Sequence, residues 1–287
     1  MSYDRRKFLQ TSGMFAAGAL LANKQLFAAN SNALKNYGLQ LWTVKEDMAK
    51  DAKGTLQKIA SYGYNQIESF EGAHGMFWGM SPADFKKYMD DLGMKIISSH
   101  CNIGADFEKK AADAAAIGMK YLICPYKGPQ KTIGDFKKIA DEFNAKGEIC
   151  KKNGIRFAYH NHGYSFQQLE GQMPQNVMMD NTNPDTVDFE MDIYWVITGG
   201  ADPVKYLQQY KNRFRLCHVK DREKGAAAGE GEASCILGEG SIDYPSLLNT
   251  AKKCGMEYYI VEQEKFTNTT QLLSSQADAK YMAGLKL

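Results

Sequence analysis

Short apolar runs recur along the chain, and most are separated by stretches with helical spacing. The runs at 37–42, 65–70, 95–100, 121–126, 156–162, 187–192, 213–220 and 258–264 read as strands. Helical periodicity covers 56–60 before Gly63, 85–92 before Gly93, 111–117 before Gly118, 136–150 before Gly154 and 247–254 before Gly255. A glycine just past the last periodic residue is a helix stop. Strands interleaved with helices imply right-handed crossovers and a parallel sheet. Eight such units predict a single (β/α)8 barrel of the α/β class. The open doubly wound alternative usually carries G-x-G-x-x-G after its first strand; here Trp42 is followed by Thr43-Val44-Lys45-Glu46-Asp47.

Side chains two apart on a strand share a face, and barrel chemistry gathers at the C-terminal strand ends. In 156–162, Phe157 and Tyr159 take the helix face, while Ala158, His160 and His162 take the lumen. In 187–192 the lumen face is Asp188, Glu190 and Asp192. Gln66 and Glu68 share a face in the second strand, and Ser99-His100 ends the third. His218 and Lys220 go together, as do Glu262 and Glu264. The result is a mouth lined with imidazoles and carboxylates. Burying that much charge without a cation is costly. A mixed N/O set suits one divalent metal ion, with Mn, Co, Zn or Fe favoured over Mg.

The first thirty residues differ from the rest. Asp4-Arg5-Arg6-Lys7-Phe8-Leu9-Gln10 precedes a small apolar run at 14–22 and then Leu26-Phe27-Ala28-Ala29-Asn30. This order predicts a twin-arginine-type signal peptide at 1–30 and an exported, periplasmic barrel domain at 31–287. The apolar run is too short to span a bilayer of about 30 Å. Formal charge is +2, from 35 Lys+Arg and 33 Asp+Glu, so nothing calls for nucleic acid or stable membrane insertion. The six cysteines show no C-x-x-C spacing and read mostly as free thiols. Met76-Phe77-Trp78-Gly79-Met80 is a candidate lid or oligomer interface.

The ordered strand ends resemble the xylose isomerase-like sugar isomerase/epimerase superfamily over about residues 35–280. The matching motifs are Gly38-Leu39-Gln40-Leu41-Trp42-Thr43-Val44, Gln66-Ile67-Glu68, Tyr159-His160-Asn161-His162, Met191-Asp192-Ile193-Tyr194-Trp195, His218-Val219-Lys220-Asp221, Gly238-Glu239-Gly240-Ser241-Ile242-Asp243 and Ile260-Val261-Glu262-Gln263-Glu264. The resemblance implies a metal held by Asp192, His218 and Glu262, with His160 where the family commonly has a fourth, glutamate ligand. Glu264 competes with Glu262 for the ligand role. The departure at His160 weakens a symmetric two-carboxylate epimerisation. The His-Asn-His run is similar to inosose-dehydratase-like and keto-glycoside-lyase-like branches.

The chemistry implied is removal of a proton next to a sugar carbonyl through an enediolate. His162 or Glu262 is the expected base, and His100 and Lys220 the expected acids or polar anchors. Gln40, Trp42, Glu68, Tyr126, Trp195 and Glu264 are the expected substrate contacts. The partner is a small, unphosphorylated carbohydrate, although Gly238 and Gly240 offer a weak phosphate loop. A homo-oligomer stays open. An apurinic endonuclease shares the fold but needs more zinc ligands than five histidines supply, and a basic face. A non-catalytic sugar-binding barrel is the alternative of another class.

Overall fold

A computed structural model describes residues 33–287, so the leader expected at 1–30 lies outside the described residues. The barrel strands are β1 (Gly38–Gln40), β2 (Gln66–Phe70), β3 (Lys95–His100), β4 (Tyr121–Cys124), β5 (Arg156–His160), β6 (Val187–Asp192), β7 (Phe214–Val219) and β8 (Tyr258–Val261). Each pairs in parallel with its neighbours in chain order, and β8 closes on β1 through Gly38↔Ile260 and Leu39↔Val261. This is the expected single (β/α)8 barrel.

Helices Ala52–Ser61, Pro82–Asp91, Phe107–Ala116, Ile133–Lys152 and Tyr244–Lys253 occupy the five periodic stretches. The stop glycines Gly63, Gly93, Gly118, Gly154 and Gly255 all have φ between +68° and +103°. That is a region glycine enters without a Cβ penalty, so each helix ends where its sequence says. At the other end, the Ser81 and Thr132 hydroxyls accept from the Asp84 and Asp135 amides and cap their helices.

Alternation sorts the strand residues as expected. Phe157 and Tyr159 pack outward on Phe143, with ring centroids 5.4 and 4.9 Å away. Ala158 turns inward and packs with Ile97, Tyr121, Ile123 and Leu216 as an apolar plug inside the barrel. On β6 the three acids occupy successive levels of the lumen. Asp188 pairs with Arg156 and accepts from the Tyr121 hydroxyl at 2.9 Å, which makes it structural. Glu190 and Asp192 lie nearer the mouth.

Two register shifts interrupt the alternation. One lies opposite Ile67/Glu68, where β3 carries an extra residue; the other lies opposite Phe189/Glu190, where β7 does. A bulge re-aims the side chains beyond it. Ile97 and Ser98 both face inward as a result, since Ile97 joins the apolar plug and Ser98 bonds Glu68. His100 and His218 follow their bulges into the lumen.

All six cysteines are unpaired, as expected. Burial pushes the Cys124 and Cys150 thiols up to about 12, so they stay protonated at neutral pH. Met76 and Phe77 of the expected lid segment are buried in the main core, and the Trp78 indole N–H donates to Ser69 at 3.2 Å. That segment is packed down rather than raised as a lid.

The last helix, Gln271–Gly284, buries Ser274, Ser275 and Asp278. Asp278 Oδ1 accepts from the Leu237 amide at 2.8 Å, and Oδ2 has no partner. Burial pushes this carboxyl up to about 7. The unfolded chain releases the same proton near pH ~4. The folded state therefore holds the extra proton, and stability from this group falls as pH rises from about 4 to about 7. Asp278→Asn should raise stability relative to the parent by about 1–4 kcal/mol more at pH 8 than at pH 4. Thermal denaturation at the two pH values checks this, and an equal effect at both would contradict it.

Candidate metal and active site

The C-terminal strand ends open into a cavity of about 580 Å³. Trp42, Phe70, Tyr126 and Trp195 supply its aromatic lining, and His100, His160, His162, Glu262 and Glu264 much of its polar lining. The chain leaves β1 into a 3-10 turn, Leu41–Val44, which carries Trp42 to the lip at 39% exposure. Tyr126 stands past the end of β4 at 54% exposure. Trp195 sits in the first turn after β6, tilted 5.4 Å from the His162 ring. Gln40, Glu68, Asp192, His218 and Lys220 have no exposed surface and lie outside the cavity lining. Gln40 and Glu68, expected as substrate contacts, are thus not part of the cavity wall. The barrel closes over both, and they bond each other at 2.7 Å.

His160, Asp192, His218 and Glu262 arrive from the ends of β5 to β8 with one ligand atom each inside a 4.8 Å span. His160 Nε2 is 3.4 Å from Asp192 Oδ2. His218 Nδ1 is 3.2 Å from Glu262 Oε2 and 3.7 Å from Asp192 Oδ2. Ligands about 2.1 Å from a tetrahedral ion would be about 3.4 Å apart, so the spacing fits. Asp192 Oδ1 accepts from the Trp195 amide at 2.9 Å, which fixes the carboxylate and leaves Oδ2 without a partner. His160 Nε2 is likewise buried and unpartnered. Two orphaned donor atoms facing each other are what a resident cation explains.

The electrostatics point the same way. Burial alone would lower His218, but Glu190 and Glu262 hold it well above the usual histidine value. Burial would raise Glu262, but Lys220 and His218 more than offset that and keep it an anion. Lys220 Nζ lies 3.2 Å from Glu262 Oε2 and 3.8 Å from Asp192 Oδ2, and it pairs closely with Glu264. The ammonium thus sits behind the ligand set and contacts the Trp195 face at 5.3 Å. Glu264 is past the strand end with its side chain 39% exposed at the lip, whereas Glu262 falls in the group whose atoms could hold an ion.

His162 faces the cavity with a buried, unpartnered Nδ1. Burial, then the nearby His160, lower it to about 3, so it is neutral at working pH. His100 is the opposite case. Glu68 and Glu190 overcome the effect of burial and raise it to about 9, so it is a cation. Glu190, 2.8 Å from His100, was legible as a lumen residue but not as part of the site. Burial and the charge of Glu68 push it up to about 7.

Asp221, at the end of the His218-Val219-Lys220-Asp221 motif, organises the glycine loop. Its carboxylate accepts from the amides of Arg222, Gly238, Gly240 and Ile242 at 2.8 to 3.2 Å. A Cβ on Gly240 would collide with that carboxylate, so the loop needs glycine there. The amides that might have cradled a phosphate are consumed, which removes the weak phosphate reading of Gly238 and Gly240.

The xylose isomerase-like TIM barrel family model matches residues 56–285, and the chain belongs to that family. Among solved structures, a sugar phosphate isomerase/epimerase from Parabacteroides distasonis is 29% identical, with a TM-score of 0.76, covering 88% of this chain and 96% of that one. A protein described as IOLI with a bound zinc atom is 18% identical, with a TM-score of 0.69, covering 85% of this chain and 95% of that one, and shares the fold. Inosose dehydratase from Geobacillus kaustophilus is 22% identical over 193 residues, 58% of this chain and 60% of its own. Inosose dehydratase from Clostridium tetani is 25% identical over 150 residues, 48% of this chain and 50% of its own. The chain thus spans half to three-fifths of these curated relatives. Among the described residues no helix is long and apolar enough to cross a membrane.

Removing Asp221 should leave four backbone amides without their acceptor. Asp221→Ala is expected to cost roughly 3 kcal/mol or more. A fall in Tm of about 6–12 °C would show it in a calorimetric scan. A fall under about 2 °C would mean that the loop holds itself.

Proposed function

We propose that the chain is a divalent-metal-dependent enzyme that removes a proton from the carbon next to a sugar carbonyl. The observation that carries this reading is the convergence of His160, Asp192, His218 and Glu262 on one point, with Asp192 Oδ2 and His160 Nε2 left unpartnered. The zinc in the IOLI structure supports the metal. When bound, an ion of the Mn, Co or Zn kind supplies Lewis-acid polarisation of the carbonyl.

The chain's own groups do the rest. His162 is neutral and lines the cavity, so its imidazole serves as the base in this reading. Glu262 is the other base available at the cavity, although Lys220 and His218 hold it as a stable anion. His100, a cation that lines the same cavity, donates to oxygen as negative charge develops. Trp42, Tyr126 and Trp195 offer flat faces to a sugar ring, and Glu264 an acceptor at the lip. Lys220 is fully buried and acts by neutralising Glu262 and Glu264 rather than by touching substrate.

Two outcomes share this first step: isomerisation or epimerisation by reprotonation, and dehydration or keto-glycoside cleavage by loss of a β-leaving group. His160 favours elimination, because the second carboxylate of a symmetric epimerase is replaced by an imidazole. The inosose dehydratase relatives support the same branch. The substrate in this reading is unphosphorylated: the Asp221-bound loop offers no anion nest, and Lys127 in the cavity lining is paired with Glu142. The leader expected at 1–30 would fit an exported enzyme acting on extracellular or periplasmic carbohydrate.

Product mass spectrometry on a panel of sugars and 3-keto-glycosides, with Mn²⁺ or Co²⁺ supplied, separates the outcomes. Unchanged mass means isomerisation, and loss of water or of the aglycone means elimination. Asp192→Ala should abolish both metal retention and turnover. His162→Asn should keep the metal and lose about 10²–10⁴-fold in kcat. Tight sugar binding without turnover or metal would instead make the chain a binding protein. Turnover confined to sugar phosphates would overturn the substrate assignment.

A further inference from the structure

Beneath the ligand set lies a second group, Glu68, His100, Glu190 and His218, whose ligand atoms also fall within 4.8 Å of one another. Its internal distances set it apart. His218 Nε2 is 2.8 Å from Glu68 Oε1, and His100 Nε2 is 2.8 Å from Glu190 Oε2 and 3.1 Å from Glu68 Oε1. These are hydrogen-bond lengths, shorter than the edge of about 3.4 Å that ligands around a tetrahedral ion would take, although His218 Nε2 also stands 3.4 Å from Glu190 Oε2. Glu68 is also fully engaged. Gln40 Nε2 donates to its Oε1 at 2.7 Å and Ser98 Oγ to its Oε2 at 2.5 Å.

The geometry points to Glu68 as a positioning residue for the metal centre, acting through His218. This inference rests on the metal reading above. With the His218 Nε2–H donated to Glu68, Nδ1 is the nitrogen aimed at Glu262 and Asp192, and it is the one that would give up its proton to a bound ion. A carboxylate behind a metal-bound imidazole fixes its tautomer and ring angle and makes the other nitrogen a stronger ligand. The fold is built to deliver this contact. Glu68 and Glu190 lie opposite the two bulges, and those bulges turn Ser98 and His100 on β3 and His218 on β7 toward the lumen. Gln40 and Ser98 then hold the carboxylate from β1 and β3, so it cannot swing away.

The test is Co²⁺ binding to the full chain after stripping with chelator, followed by calorimetric titration and by the visible Co²⁺ absorption bands. The wild type should take up one ion per chain. Glu68→Gln should bind Co²⁺ about 10–100-fold more weakly, with shifted bands. Asp188→Asn, an equally buried carboxylate change lower in the barrel, should leave affinity within about twofold. Should Glu68→Gln fail to fold, Ser98→Ala removes one restraint on Glu68 and should weaken binding roughly 2–10-fold. Unchanged affinity and bands in the variant that folds would overturn the inference alone. So would two ions per chain in the wild type with one lost in Glu68→Gln, since Glu68 would then be a ligand. A wild type that takes up no Co²⁺ overturns both the inference and the metal reading beneath it.

Discussion

Four carboxylates, Glu68, Glu190, Asp192 and Glu262, lie inside the barrel with at most 6% exposure, and the rest of the site exists to compensate them. A buried carboxylate without a partner costs several kcal/mol or gives up its charge. The chain supplies Lys220, His100 and His218 as counter-charges. Hydrogen bonds from Gln40, Ser98 and the Trp195 amide add to them. At the upper level Lys220 balances the charge of Asp192, but the hydrogen bonding is incomplete, since Asp192 Oδ2 and His160 Nε2 face each other without a hydrogen-bond partner. The deficit lies at the mouth, where the cavity can admit an ion. At the deeper level both oxygens of Glu68 and Oε2 of Glu190 are hydrogen-bonded, while Glu190 Oε1 is left without a partner.

The barrel makes this division possible. Acids two residues apart on β6 fall on successive levels, and each level takes a different role. Asp188 is tied to Arg156 and Tyr121. Glu190 supports His100, and Asp192 faces the mouth. His218 joins the two upper levels, with one ring nitrogen on Glu68 and the other toward Glu262. Changes at the deep level therefore reach the mouth through the angle of a single imidazole.

Much of this was legible in the sequence. The stop glycines and the inward run of Ala158, His160 and His162 followed from period and turn chemistry alone. So did the shared face of Asp188, Glu190 and Asp192. What period cannot show is a change of phase. The extra residues on β3 and β7 are invisible in the sequence, yet they set which way Ser98, His100 and His218 point. Depth is also hidden. Glu68 reads as a strand-end polar residue, and only barrel closure brings it 2.8 Å from His218, 150 positions away. Glu262 and Glu264 look equivalent by alternation, but β8 ends at Val261 and releases Glu264 to the lip. Asp221 stood only as the last residue of a family-matching motif, and its structural task appears only once the Gly238–Gly240 loop is folded back onto it.

The central claim is that the orphaned pair at the mouth marks a cation site. Anomalous diffraction from crystals of the full chain soaked in Mn²⁺, recorded on both sides of the manganese edge, tests it most directly. The account predicts one strong peak about 2.1 Å from His160 Nε2, from His218 Nδ1 and from the facing oxygens of Asp192 and Glu262. The Lys220 ammonium should be drawn back toward Glu264. No peak there, with Lys220 still shared between Glu262 and Asp192, would contradict it.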